Sequence, residues 1–431
     1  MSWRLRWRAS EYLRNSLWLV PGVFVVVAIL MGNLLPEMDA ARGDPVGLSY
    51  GPAAGLAMLG AIVSGMIAFT GFVFSILLLA VQFGSSQFSP RLLRSFLGAP
   101  TTRVALGVFM ATFVYSLMVM RTIGQANDPD FVPNDSISVG WLWLLLSMYL
   151  FLRLISRTTQ SLRVASVVRT VGKRGTAVIR RTYRDPAPDA AIGETDNGYA
   201  FGAPTRVIQC GDEAGIIQSV DDRGLVRIAR DADIVLELVA PIGDPVAPGM
   251  PLFHVYGPGN VDEEQLERSV AIGDERTMRQ DPAFALRLLA DISARALSPG
   301  VNDPTTSVQA LDQIELLLRL LAGRRLSPGE SRDESGQVRL RYPARSWDDL
   351  LSIALDETRL FGSTSVQVSR RLRALLDGLL EMVPSYRRPA VQAQLAMLDA
   401  SIARAHSDPA VLSIAAAADR QGLGTPRHQG T

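Results

Sequence analysis

GLAMLGAIVSGMIAFTGFVFSILLLAVQF, Gly55 to Phe83, runs for 29 residues without a charge. A bilayer core needs roughly 20 apolar residues, with a range of about 17–25, so this stretch decides the class of fold. As a straight helix it reaches about 43 Å at roughly 1.5 Å per residue. That exceeds the hydrocarbon core, so it must tilt, kink or project beyond it. Three further runs accompany it: Leu17–Leu35, uncharged over 19 positions, Val104–Met120 over 17, and Ser136–Leu152 over 17. The expectation is a membrane α-helical bundle of four transmembrane helices, at about residues 17–35, 55–83, 104–122 and 136–154, within a membrane domain 1–160. The alternative is an apolar hairpin buried in a soluble protein. A secretory signal core spans roughly 7–15 apolar residues. The first run exceeds that, and Ala40-Ala41 is a poor cleavage site, so the helix reads as retained.

Charge orients the bundle. Arg4, Arg6, Arg8 and Arg14 precede the first span, and Arg91, Arg94 and Arg103 separate the second from the third. Arg153, Arg157, Arg163, Arg169, Lys173, Arg174, Arg180 and Arg181 follow the fourth. The other two loops hold one arginine each, Arg42 and Arg121, among Glu37, Asp39, Asp44, Asp128, Asp130 and Asp135. Positive charge stays on the cytoplasmic side. Both termini are therefore expected in the cytoplasm. Trp3, Trp7, Tyr12 and Trp18, interleaved with arginines, suit the headgroup layer of the lipid bilayer.

Small residues line the second span. Gly60, Ser64 and Ala68 fall at spacing four, as do Ala57, Ala61 and Gly65, followed by Gly71 and Ser75. Such rows let helices approach closely. Packing inside the bundle is one reading; a subunit interface or pore wall, and hence a homo-oligomer, is the other. At its inner end, Gln82, Ser85, Ser86 and Gln87 either line a vestibule or cap the helix. No carboxylate, lysine or histidine lies within a span, which disfavours a proton-coupled transporter.

The rest reads as a cytoplasmic α+β region. A basic juxtamembrane segment and a Pro/Gly/Asp-rich linker fill 161–204, with RDPAPDAAIGETDNGYAFGAP at its core. A small β-sandwich-like module is expected at 205–260, from RVIQCGDEAGIIQSV, IVLELVAP and PLFHVYG. Its GDPVAPGMPL, Gly243–Leu252, resembles a half-motif of biotinyl/lipoyl-type barrel-sandwich domains. The chain's one lysine, Lys173, lies outside the module, which excludes cofactor carriage there. A helical bundle follows at 261–420, with Leu326–Gly336 as a polar loop and 421–431 as a disordered tail.

Within that bundle Asp281-Pro282 and Asp303-Pro304 each open a helix, aspartate as cap and proline as first helical residue. The two caps should then contribute alike, about 0.5–2 kcal/mol each. SPGVNDP, Ser298–Pro304, is thereby a corner between two helices. It also offers a helix start that Arg276, Arg279 and Arg295 can approach, making an anion or partner surface with Ser298, Asn302, Asp303 and Thr305. The competing reading pairs these arginines with Asp274, Glu275, Asp281 and Asp291.

Net charge is +1, which argues against a nucleic-acid partner. A single cysteine, Cys210, rules out an intramolecular disulfide and a cysteine metal cluster. The three histidines show no metal-ligand spacing, and no Walker A, G-x-S-x-G or Rossmann fingerprint occurs in context. No metal, cofactor or catalytic residue is expected, and no enzyme activity. SSQFSPRLL, GDERTMRQD and above all DISARALSPGVNDPTTSVQALDQ are similar to a bacterial "predicted membrane protein" family, domain-of-unknown-function family 2254. The resemblance implies a multi-pass inner-membrane protein with a cytoplasmic C-terminal half, and brings no activity or ligand. Two functions stay open: an oligomeric pore or transport-related protein with a cytoplasmic regulatory domain, or a membrane-anchored scaffold whose hairpin docks a partner or an anionic ligand.

Overall fold

The computed structural model describes residues 3–16, 18–42, 48–87, 100–124, 130–161, 163–187, 202–326, 329–343 and 345–423. The chain divides into two units, Ala9–Arg163, and Met1–Arg8 together with Val164–Thr431. A first helix, α1 (Trp3–Asn15), runs across that division.

The first unit holds four helices long and apolar enough to cross a membrane. They are α2 (Leu19–Arg42), α3 (Pro52–Gln87), α4 (Pro100–Met120) and α5 (Asn134–Ser161). Each extends past the uncharged run that announced it, because the flanking residues continue the backbone ladder into polar surroundings. The shortest of them, α4, forms the core, burying Ala105, Val108, Phe109, Ala111, Tyr115 and Val119. Glycines set its approach to α2: a Cβ on Gly32 would meet Met118 Cβ at 2.5 Å, and one on Gly107 would meet Phe24 Cδ2 at 2.7 Å. Several polar groups inside are matched, though the Ser116 hydroxyl is buried without a hydrogen bond among the described residues. Thr112 Oγ1 and Ser147 Oγ are 2.8 Å apart, and the Tyr115 hydroxyl donates to Ser136 O at 2.9 Å. Asp39 of α2 accepts from Ser136 N at 2.9 Å, satisfying the start of α5.

The second unit begins with α6 (Val164–Thr182). Its sequence reads as a basic membrane-proximal segment, yet Val167, Val168, Val171, Val178 and Ile179 are buried. The valines recur at helical spacing with arginines opposite, so one face belongs to a core. Strands β1 (Arg206–Gln209), β2 (Gly215–Val220), β3 (Val235–Leu238), β4 (Pro245–Val246), β5 (Pro251–Tyr256), β6 (Val270–Gly273), β7 (Gly329–Arg332) and β8 (Val338–Tyr342) form two sheets. One has the order β1-β5-β3-β8-β7, the other β4-β2-β6. They share a core that includes Ile208, Ile217, Leu236, Phe253, Val255 and Leu340, closed by α7 (Asp222–Asp231) through Leu225 and Ala229.

Three strands thus arrive from beyond residue 260. β8 lies parallel to β3, with Leu236 opposite Leu340, and a parallel pair needs a long crossover. That crossover carries α8 (Glu263–Glu267), α9 (Pro282–Ala296) and α10 (Pro304–Ala322). β7 forms inside the stretch that reads as a polar loop, because Asp333 closes a hairpin by accepting from Ser335 N and Gln337 N, both at 3.0 Å. Helices α11 (Trp347–Gly362), α12 (Val366–Leu380), α13 (Arg388–Ala405) and α14 (Pro409–Ala415) complete the unit. The linker residues 188–201 and the tail 424–431 lie outside the described residues.

Candidate functional site

The SPGVNDP turn folds α9 against α10. Asp303 Oδ1 accepts from Thr306 N at 3.1 Å, and Asp303 N donates to Ala296 O at 2.8 Å. Asn302 takes φ +47°, a left-handed position that asparagine tolerates, and its N–H reaches Ser298 O at 2.9 Å. Ser298 Oγ turns back to Arg295 O at 2.7 Å. Behind the turn, the hydroxyls of Ser293 and Ser307 meet at 2.6 Å, both fully buried. Arg295, Asn302 and Thr305 are exposed.

Two of the arginines considered for that turn are engaged elsewhere. Arg276 donates to Asp281 and lies 5.3 Å from the Phe284 ring centroid. Arg279 stands 5.4 Å over Trp7. Trp7 is thereby held by protein, and neighbouring Arg4 and Arg8 both bridge to Glu213. Of the tryptophan–arginine mix at the N-terminus, Trp7, Arg4 and Arg8 make these contacts within the second unit.

A concavity opens at the other aspartate-proline cap. A cleft of about 480 Å³ lies between the end of α6, the start of α9 and the β7–β8 hairpin. Local structure explains its shape. After α6 the chain runs antiparallel to the segment after α10: Pro186 bridges Arg324, Arg325 N donates to Asp185 O at 3.0 Å, and Ala187 N to Gly323 O at 3.1 Å. This tie brings Arg184 and Arg325 to the rim. Arg387, 2% exposed, fixes it from behind by donating to Leu321 O, Ala322 O and Arg324 O at 3.0, 2.9 and 2.8 Å. These are the carbonyls that a helix C-terminus leaves unmatched. On the opposite wall Tyr342 crosses Gly329, where a Cβ would meet the ring at 1.9 Å.

Charges within the cleft are unevenly matched. Asp281 is paired with Arg276, and Glu330 with Arg332 at 3.0 Å. Arg345 reaches Asp244 at 2.7 Å through Nη2, while its Nε is buried without a hydrogen bond. Arg184 donates Nε to Arg181 O at 3.3 Å and has no carboxylate partner among the described residues. Burial pushes the Tyr183 hydroxyl up to about 12, with Asp281 adding to the effect and Arg345 opposing it. Burial likewise raises Tyr342 above its ordinary value. Both hydroxyls remain donors at neutral pH. The arrangement can bind an anion; among the described residues no cluster of histidine, cysteine and carboxylates suits a metal.

Sequence reasoning did not assemble these residues. Tyr183 and Arg184 border a stretch that reads as linker, and Arg325 precedes one that reads as a loop. Only the aspartate-proline cap at Asp281, following GDERTMRQ, marked the place.

Along α3, buried Leu59, Ile62, Met66 and Val73 face the bundle. Ala57, Ala61, Ser64, Ala68, Gly71 and Ser75 form an exposed seam of small side chains at spacings of four and three. A Cβ on Gly60, Gly65 or Gly71 would meet nothing within 4 Å. Intramolecular packing therefore does not account for these glycines. Gln82 lies on the same helix, while the side chains of Ser85, Ser86 and Gln87 fall outside the described residues.

A family model described as "Predicted membrane protein (DUF2254)" matches residues 14–378. An uncharacterized protein of Mycobacterium bovis and one of Mycobacterium tuberculosis are each 29% identical over 410 residues, 92% of this chain and 78% of theirs. No solved structure matches.

Proposed function

Since the chain belongs to the DUF2254 family of predicted membrane proteins, we propose that it is an oligomeric pore or transport-related protein of a bacterial inner membrane. In this reading α3 packs against its counterpart in neighbouring copies. The C-terminal unit is the cytoplasmic regulatory part, and the arginine bias of the loops supports that orientation.

One observation carries the assembly: a continuous seam of small side chains runs along the outward face of α3, beside exposed Ile67, Phe72, Phe74 and Leu78. α5 exposes Leu142, Leu145, Met148 and Leu152, and α2 exposes Val23, Val26, Leu30 and Leu34, side chains that suit lipid tails. The α3 seam offers lipid little to pack on but lets a second helix approach closely. The alternative, a membrane-anchored binding or signalling scaffold, draws on the cleft and on the exposed turn at Asn302.

The test is disulfide cross-linking in membranes, with Cys210→Ala as background. Ser64→Cys or Ala68→Cys should yield a covalent dimer under mild oxidation, and Leu145→Cys on the lipid-suited face should not. Monomer at both α3 positions, together with a monomeric mass in detergent, would sink the assembly.

A further inference from the structure

The cleft at the start of α9 carries more positive charge than its own carboxylates answer. Asp281 and Glu330 are matched within the protein, which leaves Asp185 as the remaining acid on the wall against Arg184 and Arg325, while Arg345 is held by Asp244 through Nη2 alone. A guanidinium presents forked N–H donors that fit phosphate or carboxylate oxygens two at a time. The buried, unbonded Nε of Arg345 is a donor awaiting an acceptor. The hydroxyls of Tyr183 and Tyr342, protonated at neutral pH, make no hydrogen bond among the described residues.

Size and lining narrow the ligand further. About 480 Å³ lies within the roughly 300–1,000 Å³ of small-molecule sites, well beyond what a bare anion fills. Pro241, Ile242 and Pro343 supply an apolar wall, and the two tyrosines supply ring faces. A ligand that satisfies both halves has an anionic group rich in acceptor oxygens joined to an organic body.

We propose that this cleft binds a small organic phosphate, its phosphoryl group held by Arg184, Arg325 and Arg345 and its organic part set against Tyr183 and Ile242. The ligand acts as a regulator only if the assembly described above exists; the binding stands independently. The rim that holds Arg184 and Arg325 is the tie between the ends of α6 and α10. An occupied cleft therefore draws together the helix that opens this unit and the hairpin α9–α10.

The experiment is thermal melting of the full chain in detergent, titrated with inorganic phosphate, glycerol 3-phosphate and adenosine 5′-monophosphate against chloride of equal ionic strength. Wild type should show a saturable rise in melting temperature with all three, with tighter half-saturation for the esters than for phosphate. Arg325→Ala and Arg184→Ala, both at exposed positions, should weaken half-saturation tenfold or more while leaving the unliganded melting temperature in place. Arg325→Lys should recover part of the affinity, and Tyr183→Phe should lose a fewfold. Arg223→Ala, an exposed arginine of α7 outside this cleft, should behave as wild type.

No saturable rise would overturn the site, as would a rise retained by both arginine variants or lost equally in Arg223→Ala. Equal half-saturation for phosphate and the two esters would overturn the organic part. Particle mass, measured on the same samples, separates the two proposals. A monomer with a phosphate-dependent rise leaves the cleft and removes the assembly, and an oligomer without one does the reverse.

Discussion

Arg276 donates its Nε–H to the carboxylate of Asp281, which is 4% exposed and also accepts from Phe284 N at 3.1 Å. One side chain thus caps α9 and neutralises a guanidinium whose Nη2 is buried without another partner. Asp303, the cap of α10, has no such second duty: its other oxygen accepts from the Thr306 hydroxyl at 2.6 Å. Two identical dipeptides, Asp-Pro, therefore sit in different energetic positions.

The caps should not contribute alike, contrary to the expectation from sequence. Asp303→Ala removes a cap and should cost about 0.5–2 kcal/mol. Asp281→Ala also strands Arg276, and breaking a buried pair costs about 3–5 kcal/mol. Denaturant melting of the two variants of the full chain checks this. Equal losses would show that the Arg276 bond adds nothing.

What the sequence discloses and what it hides follow from range. Helix-period apolarity, uncharged runs and Asp-Pro starts are local, so the four apolar helices, α9 and α10 are readable from short windows. The pairing of β3 with β8 joins Leu236 to Leu340 across a crossover, and no local pattern encodes it. The same holds for the cleft, where Tyr183, Asp281, Arg325 and Arg345 come from four separate segments. At α6 the signal was present but ambiguous, since a valine face with arginines opposite suits both a membrane surface and a protein core. Gly172 and Gly175 decide it: a Cβ on Gly172 would meet Gln313 Oε1 at 2.1 Å, and one on Gly175 would meet Leu317 Cδ1 at 2.9 Å.

Asp222, first residue of α7, should make stability depend on pH. Burial raises its carboxyl from 3.8 to about 6, with Asp221 adding to the effect, and Oδ1 is buried without a hydrogen bond. The folded state then holds the proton more tightly than the unfolded chain, so stability falls as pH rises through that window and returns on acidification. Asp222→Asn mimics the protonated form. It should stabilise at pH 7–8 by on the order of 2–3 kcal/mol and lose that advantage near pH 4. Melting of wild type and variant across this range should give curves that converge at low pH; parallel curves would remove the burial argument.

Glycines in the apolar helices should divide into two kinds. Gly32→Ala and Gly107→Ala place a methyl against Met118 and Phe24, and overpacking there should cost about 1–3 kcal/mol of unit stability. Gly65→Leu and Gly71→Leu place bulk on the open seam of α3, where nothing in the same chain lies within 4 Å of a Cβ. They should leave the single-chain fold intact and abolish the cross-link at Ser64→Cys. Protease resistance in detergent reports the first property and cross-linking yield the second. If Gly71→Leu unfolds the chain while Gly107→Ala does not, the assignment of inner and outer faces is reversed.

Orientation is decided by thiol labelling in intact cells. In the orientation proposed from the arginine bias, the α2–α3 and α4–α5 loops face outside and the C-terminal unit inside. Cys210, the one native thiol, is buried and is removed by Cys210→Ala. Asp39 is a poor site for the probe, because it accepts from Ser136 N and Oγ at the start of α5. Arg42→Cys, exposed in the last turn of α2, reports the same loop without that damage. A membrane-impermeant maleimide should label Arg42→Cys in intact cells. It should label Glu334→Cys, exposed at the turn of the β7–β8 hairpin, only after lysis. Labelling of Glu334→Cys in intact cells would place the cleft outside and leave a cytoplasmic phosphate ester no access to it.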